Sequence, residues 1–258
     1  MLIMVGIFLT MVISTYAVAQ NRVDYPEMAK YRKWSFVAGP VFYNKARIAP
    51  LYGNYTFKNR IIPGYNWGFE YDFHPEYKWS FITGLVMAKE PALSIKYHIL
   101  KQDLYSQYTE DMIDHHRMNA IVTLSVPLLY RLTIPSSGKS YLTFKTGIKL
   151  MYFPEGNVSF GLHIVNADGT ETREIFGIKA HSQESPLYES FIISTGLAFP
   201  LPKILIKANA MYVMNFQNTM EGEYLFDNLL TSPASRGTYK LSGNYLGIIV
   251  TINLVHPD

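Results

Sequence analysis

The segment "GYNWGFEYDF", residues 64–73, carries an aromatic ring at every second position. The rings belong to Tyr65, Trp67, Phe69, Tyr71 and Phe73, and the residues between them are glycine, asparagine or acidic. Strict alternation over ten residues predicts an extended strand, since successive side chains of a strand point to opposite faces. Five large rings on one face need an apolar environment, which is either a protein core or lipid.

The composition limits the kinds of partner and chemistry. Of 258 residues, 15% are aromatic and only 17% are charged, whereas charged residues average about 25% in soluble domains. The net charge of +3 and the lack of a Lys/Arg run argue against a nucleic-acid partner. The chain has no cysteine, which excludes disulfides and thiolate metal sites.

The first nineteen residues, "MLIMVGIFLTMVISTYAVA", differ from the rest. An apolar run leads to Ala17-Val18-Ala19, an A-x-A cleavage pattern before Gln20. This pattern predicts a signal peptide over residues 1–19, cleaved after Ala19, and a periplasmic segment over residues 20–33. The alternative is an uncleaved anchor, because about 20 apolar residues can span a bilayer. No later stretch is as long and apolar, so a mature chain that resides in a membrane must cross it with strands.

Alternating segments recur along the mature chain and predict eight strands. They lie near residues 34–43, 64–73, 77–87, 118–131, 140–153, 187–200, 204–216 and 238–254. Short connections ("HPE", "LTIPSSGK" and "LPK") alternate with long ones at residues 44–63, 88–117, 154–186 and 217–237. This arrangement predicts an all-β fold over residues 34–254, an eight-stranded antiparallel up-and-down transmembrane barrel with long extracellular loops and periplasmic termini.

One face of each predicted strand is apolar and the other is small or polar. Side chains nearly fill an eight-stranded lumen, so stacked rings do not fit inside and must point outward. A soluble lipocalin-like barrel would show the reverse pattern. Rings also collect near both strand ends, as in the two aromatic girdles of membrane barrels. We therefore predict that the lipid-facing residues include Tyr65, Trp67, Phe69, Tyr71, Trp79, Phe81, Phe144, Ile148, Phe191, Ile193, Ile248 and Val250.

The opposite face carries charges inside the predicted barrel. Buried charges need partners, so we interpret them as an ionic network that fills the lumen. The alternative is a narrow ion path, for which an eight-stranded barrel leaves little room. The predicted lumen network consists of Glu70, Asp72, Lys78, Lys145, Lys149 and Lys207.

The long connections hold the remaining candidates. "EDMIDHHR", residues 110–117, is polar. In a loop, His115 and His116 could bind a metal together with Asp111 or Asp114, but no spacing rule supports this. A lipid-modifying enzyme would instead need a histidine base beside a serine nucleophile, with an acidic group to orient the histidine. Candidates are Ser94, His98, His115, His116, His163 and His181, none in a recognisable motif. Asp168-Gly169 predicts a hairpin over residues 158–180, either an outward finger or two further wall strands.

The mature chain resembles the PorT-like outer-membrane barrels of Bacteroidota. "VTLSVPLLYRL", residues 122–132, is similar to that group's habitual "YLEIPLLLKY", and the hairpin that begins at "GYNWGFEYDF" resembles its second and third strands. The group usually ends on an aromatic residue, whereas this sequence continues as "INLVHPD". The resemblance implies insertion by the barrel-assembly machinery and an association with secretion and gliding.

These observations predict a non-enzymatic protein of the bacterial outer membrane without a cofactor. We expect a structural or binding role at the cell surface, as a receptor, an adhesin or a secretion accessory. Expected partners are outer-membrane lipid, the barrel-assembly machinery, and a secretion or surface partner of the loops. A lipid-modifying enzyme (acyl transfer or deacylation) and a small-solute pore are the alternatives.

Overall fold

The computed structural model describes residues 23–118, 121–136, 138–183 and 185–256. The predicted signal peptide and its cleavage site lie outside the described residues. The helical segments in the described part of the chain are two 3₁₀ turns, Pro26–Met28 and Lys101–Asp103, and neither could traverse a bilayer.

Eight strands form a closed barrel in which every neighbouring pair is antiparallel. They are β1 (Trp34–Tyr43), β3 (Ile62–Asp72), β4 (Trp79–Glu90), β7 (Ile121–Pro135), β8 (Tyr141–Tyr152), β11 (Leu187–Pro200), β12 (Ile204–Asn215) and β15 (Tyr245–Leu254). Their order around the wall is β1-β15-β12-β11-β8-β7-β4-β3, and β3 pairs with β1 to close it. The predicted eight-stranded antiparallel barrel is confirmed.

The aromatic segment forms most of β3, between β1 and β4. Phe69 lies opposite Phe36 of β1 and Leu85 of β4. Along β3 the exposed side chains alternate with buried ones: Phe69 is 52% exposed and Glu70 is 8% exposed. The rings therefore project from the outer surface of the barrel, and the small and acidic residues point into the lumen.

Seven further strands lie in the connections at the barrel end opposite to the short turns, and we call them the canopy. They are β2 (Arg47–Tyr52), β5 (Leu93–Ile99), β6 (Met112–Met118), β9 (Asn157–Val165), β10 (Thr172–His181), β13 (Met220–Phe226) and β14 (Ser235–Leu241). Five of them form a sheet in the order β2-β14-β13-β10-β9, and β5 pairs with β6. The connections predicted as loops thus contain a substantial amount of β-structure.

Two sequence predictions about this region need correction. The predicted last strand, residues 238–254, is divided between the canopy strand β14 and the barrel strand β15. Gly243, with a φ of +69°, lies at the break, in a conformation that favours glycine. The hairpin predicted over residues 158–180 exists as β9 and β10, but it is neither a lone finger nor part of the wall. Instead, β10 pairs with β13 and joins the hairpin to the five-stranded sheet.

Buried apolar side chains form three clusters that follow this architecture. The largest lies in the canopy, where the ring of Phe57 packs against Phe176, Tyr224 and Tyr239. A second cluster lines the lumen. The third closes the short-turn end, where Tyr25, Met28 and Tyr31 of the segment before β1 pack against Tyr141, Ala198 and Leu205.

Candidate functional site

The outer surface of the barrel is broadly apolar. The twelve side chains predicted to face lipid all lie on this surface, and each is exposed or partly exposed. Trp67 is 42% exposed and Ile248 is 56% exposed, fractions expected of side chains that protrude from a wall. A surface of this kind needs an apolar environment around the protein, because exposed apolar area in water is unfavourable.

The lumen contains an ionic network centred on two carboxylates. The ammonium of Lys145 donates a hydrogen bond to the Glu70 Oε2 at 2.7 Å. The Asp72 Oδ2 lies 3.2 Å from the Arg131 Nε and 3.5 Å from the Lys207 Nζ. All five side chains are buried, and each has an opposite charge within 3.5 Å, with Asp72 shared by Arg131 and Lys207. Buried charges require such partners.

Lys149 lies apart from this network, towards the canopy. Its ammonium is 3.4 Å from the Tyr245 hydroxyl and 5.0 Å from the centroid of that ring. The buried carboxylate of Glu90 interacts electrostatically with Lys149. Sequence reasoning missed Glu90 and Arg131 as lumen residues. The signal was present, since Val86, Ala88 and Glu90 continue the inward alternation of β4.

Lys78 does not belong to the network, and its prediction as a lumen residue was wrong. It is exposed in the turn before β4, and its backbone N–H donates to the Asp24 Oδ2 at 2.8 Å. The strand begins only at Trp79, so the alternation of the strand does not direct the Lys78 side chain inward.

Side chains close the lumen at mid-depth and at the short-turn end. A cavity of about 40 Å³ remains beside Asn66, Glu70 and Lys149, enough for only a few waters at about 10–15 Å³ each. At the short-turn end, the Tyr25 hydroxyl donates to the carbonyl of Thr133 at 3.0 Å. At these two levels the described side chains therefore leave little open space in the lumen.

Asp103 clamps two canopy segments together. Its buried carboxylate accepts hydrogen bonds from the Tyr55 hydroxyl at 2.5 Å and from the backbone N–H and hydroxyl groups of Thr231 and Ser232 at 2.7–3.1 Å. Burial acts to raise the pKa of this carboxyl, but the hydrogen bonds outweigh it and lower the pKa to about 2. Burial and the same contact raise the pKa of Tyr55 to about 12.

The candidate catalytic residues of the long connections meet only in pairs. The Ser94 Oγ lies 3.2 Å from the His115 Nε2, and the His98 Nε2 lies 2.8 Å from the Asp111 Oδ2. Among the described residues, no carboxylate contacts the His115 ring. The first pair therefore has a nucleophile and a base without the acidic group that orients a catalytic triad.

The remaining histidines are dispersed. The His116 ring stacks on Phe160 at 3.9 Å, and the His163 Nε2 is 3.9 Å from the Glu174 Oε2. His181 lies at the end of β10 and is exposed. Within the part of the chain that the structure describes, no three His, Asp or Glu side chains converge as metal ligands.

The closed strand order defines this chain as an eight-stranded β-barrel protein, and solved barrels are similar to it. The outer membrane protein OprG from Pseudomonas aeruginosa is 10% identical with a TM-score of 0.43, covering 88% of this chain and 98% of that one. Neisserial surface protein A is 8% identical with a TM-score of 0.36, covering 87% of this chain and 99% of that one. Ail, the attachment invasion locus protein of Yersinia pestis, is 13% identical with a TM-score of 0.28, covering 84% of this chain and 99% of that one. No family model and no curated protein matches the sequence.

Proposed function

We propose that this chain is a bacterial outer-membrane barrel that holds a folded canopy at the cell surface, where the canopy serves a non-enzymatic binding role. The main support for this proposal is that the outer face of the barrel is apolar, whereas its lumen contains buried charges. Each large side chain left in water would forgo about 1.5–3 kcal/mol of burial, whereas lipid supplies an apolar environment to all of them.

A binding role is supported by the way the canopy is built. The exposed face of its five-stranded sheet carries ion pairs, Arg236 with Glu223 and Lys240 with Glu221. An open hollow of about 750 Å³ lies on the same face, beside Tyr52, Lys179 and Arg236. Polar groups displayed on a rigid scaffold are a frequent basis of recognition. A receptor, an adhesin and a secretion accessory of the PorT-like kind, in a bacterium of the Bacteroidota, all fit this arrangement.

A lipid-modifying activity is the second candidate, and the contact between Ser94 and His115 is the observation that favours it. The hydroxyl–imidazole distance of 3.2 Å suits proton transfer. If the pair is catalytic, Ser94→Ala should abolish hydrolysis of an acyl ester by the purified protein in detergent. The non-enzymatic proposal expects no hydrolysis above a detergent blank for either protein, and wild-type turnover that Ser94→Ala removes would contradict it.

Cell fractionation tests the proposed location. The mature protein should sediment with the outer membrane and migrate faster on gels when the sample is left unheated, because a folded barrel resists detergent. Protease added to intact cells should reach the canopy and leave the barrel strands uncut. A soluble periplasmic protein whose migration is the same at both sample temperatures would contradict the proposal.

A further inference from the structure

A basic hollow lies where β3 and β4 leave the barrel wall for the canopy. It encloses about 280 Å³, and Tyr65, Lys89 and Arg117 contribute its polar side chains. Pro63 and Pro91 form part of its walls, and none of the described residues that line it is acidic. The hollow opens on the same outer surface as the exposed rings of β3, since Tyr65 is 52% exposed.

The position of Lys89 along the wall agrees with the level of lipid headgroups. Trp67 lies opposite Met87 in the ladder between β3 and β4, and Lys89 is the next outward-facing residue of β4. Two residues along a strand advance about 7 Å. The headgroup layer extends about 5–7 Å beyond the hydrocarbon on each side. If the Trp67 row lies at the edge of the hydrocarbon, the Lys89 ammonium reaches the headgroup phosphates.

The two cations of the hollow lack ionic partners in the described part of the chain. Neither Lys89 nor Arg117 forms an ion pair with a described carboxylate. The Arg117 Nη2 donates to the Pro63 carbonyl at 2.7 Å, which holds the guanidinium at the rim and leaves its other N–H groups available. Guanidinium groups bind phosphate oxygens with paired hydrogen bonds.

We propose that this hollow binds the phosphate of a lipid headgroup in the leaflet on the canopy side. The inference rests on the proposed membrane location. Lys89 and Arg117 together carry two positive charges, which match a phosphate monoester at about −1.5 to −2. Tyr65 supplies a hydroxyl at the same level. Below it, Trp67 and Met87 provide an apolar surface for the acyl chain of the same lipid.

Quenching of Trp67 fluorescence by brominated lipid tests the proposal. The full mature chain with Trp34→Phe and Trp79→Phe retains Trp67 as its single tryptophan, next to the hollow. It is reconstituted in phosphatidylcholine vesicles that contain a minor fraction of phosphatidic acid, with bromine on the acyl chains of one lipid or the other. Two interfacial cations, at about 1 kcal/mol each, should let brominated phosphatidic acid occupy the site about thirtyfold more than its mole fraction implies.

A charge-matched pair of variants shows whether the hollow is responsible. Lys89→Gln with Arg117→Gln should abolish the preference for phosphatidic acid, and Lys89→Gln alone should reduce it. The control is Lys139→Gln with Lys203→Gln, which removes two exposed lysines from turns at the opposite end of the barrel. The control should retain the preference. Heat-modifiable migration establishes that each variant is folded before it is compared.

Each contrary result has a distinct meaning. Quenching by brominated phosphatidylcholine without a preference for phosphatidic acid would overturn the headgroup site and leave the membrane location standing. A preference that survives the double substitution would also overturn it. Reversal of the preference by inorganic phosphate would identify a soluble anion as the ligand instead of a lipid. Trp67 that no brominated lipid quenches would overturn the membrane location itself.

Discussion

Phe69 and Glu70 are adjacent in sequence and occupy opposite sides of the barrel wall. Phe69 meets Phe36 on the outer surface, with ring centroids 5.7 Å apart. Glu70 accepts a hydrogen bond from Lys145 in the lumen. The two positions therefore respond to substitution for different physical reasons, which double mutants can separate.

At Phe69 we expect Phe69→Arg to destabilise the folded barrel by about 2–4 kcal/mol, the penalty of a charge on a lipid-facing wall near mid-depth. Folding titrations in lipid vesicles measure this loss. No change in the lumen should restore the stability, because the arginine lies outside. A gain in stability on adding Lys145→Met would show that the strand is inverted.

At Glu70 we expect Glu70→Gln to cost about 3–5 kcal/mol, since it leaves the buried Lys145 unpaired. Adding Lys145→Met should recover part of this loss in the same titration. Lys207→Met is the matched control. Lys207 pairs mainly with Asp72 and interacts more weakly with Glu70, so its substitution should give a smaller recovery. Equal rescue by both lysine substitutions would contradict the pairing.

The Asp103 clamp predicts a pH dependence of canopy stability. Its pKa of about 2 is below the ordinary value of about 3.9. Because the pKa is lower in the folded state than in the unfolded state, the carboxylate stabilises the fold. This stabilisation is fully present when the pH is above the ordinary pKa, and it disappears as the pH falls through the pKa of the folded state. The contribution is about 2 kcal/mol at neutral pH. Urea titrations at pH 6 and pH 2.5 should show that acid lowers the canopy stability of the wild type more than that of Asp103→Asn. Equal losses of stability in the two proteins would contradict the role of Asp103.

At the scale of elements, the canopy strands form a unit with a core of their own. Phe57 is 3% exposed and packs against rings from β10, β13 and β14. The residues of this canopy core come from all four connections at that end of the barrel. The canopy core thus joins segments that are far apart in sequence. The barrel strands below it pair with one another and not with canopy strands.

We expect Phe57→Ala to destabilise the canopy by about 3–5 kcal/mol, the usual cost of removing a buried ring. The barrel should keep its heat-modifiable migration, because no barrel ladder includes Phe57. Proteolysis in urea, read separately for canopy and barrel fragments, measures both effects. Tyr52→Ala, at a 51% exposed ring of β2, is the control and should have little effect. Simultaneous loss of canopy and barrel would show that they are one cooperative unit.

The sequence predicted the barrel wall well and the canopy poorly, for a physical reason. Barrel strands alternate strictly between apolar and small or polar residues, so segments such as residues 64–73 show their faces locally. The pairing of β10 with β13 joins residues such as Phe176 and Phe226, which local patterns do not relate. The proximity of Ser94 to His115 likewise follows from the pairing of β5 with β6. Glu90 could have been found by extending the alternation of β4.

At the scale of the whole molecule, the barrel is a closed support for the canopy. Tyr25 and Arg131 occupy the short-turn end, and the Arg131 guanidinium donates to the carbonyls of His74 and Tyr77 at 2.9 and 3.2 Å. The described lumen side chains leave a cavity of about 40 Å³ near mid-depth. The molecule is thus suited to holding the canopy in place.

This closure predicts that the protein conducts poorly. Reconstituted in a planar bilayer, it should give no sizeable steady current, because side chains fill an eight-stranded interior. Current recordings across a range of voltages test this. A stable current of the size that porins produce would contradict the closed lumen and favour the small-solute pore.

Contact between the outer face of the barrel and lipid can be measured with the tryptophans of the wild-type protein. All three, Trp34, Trp67 and Trp79, protrude from that face, with exposures of 60%, 42% and 41%. In vesicles made of phosphatidylcholine with brominated acyl chains, we predict that most of the tryptophan emission is quenched, while aqueous iodide quenches little. Emission that brominated lipid leaves unchanged and iodide quenches strongly would show that the outer face lies in water.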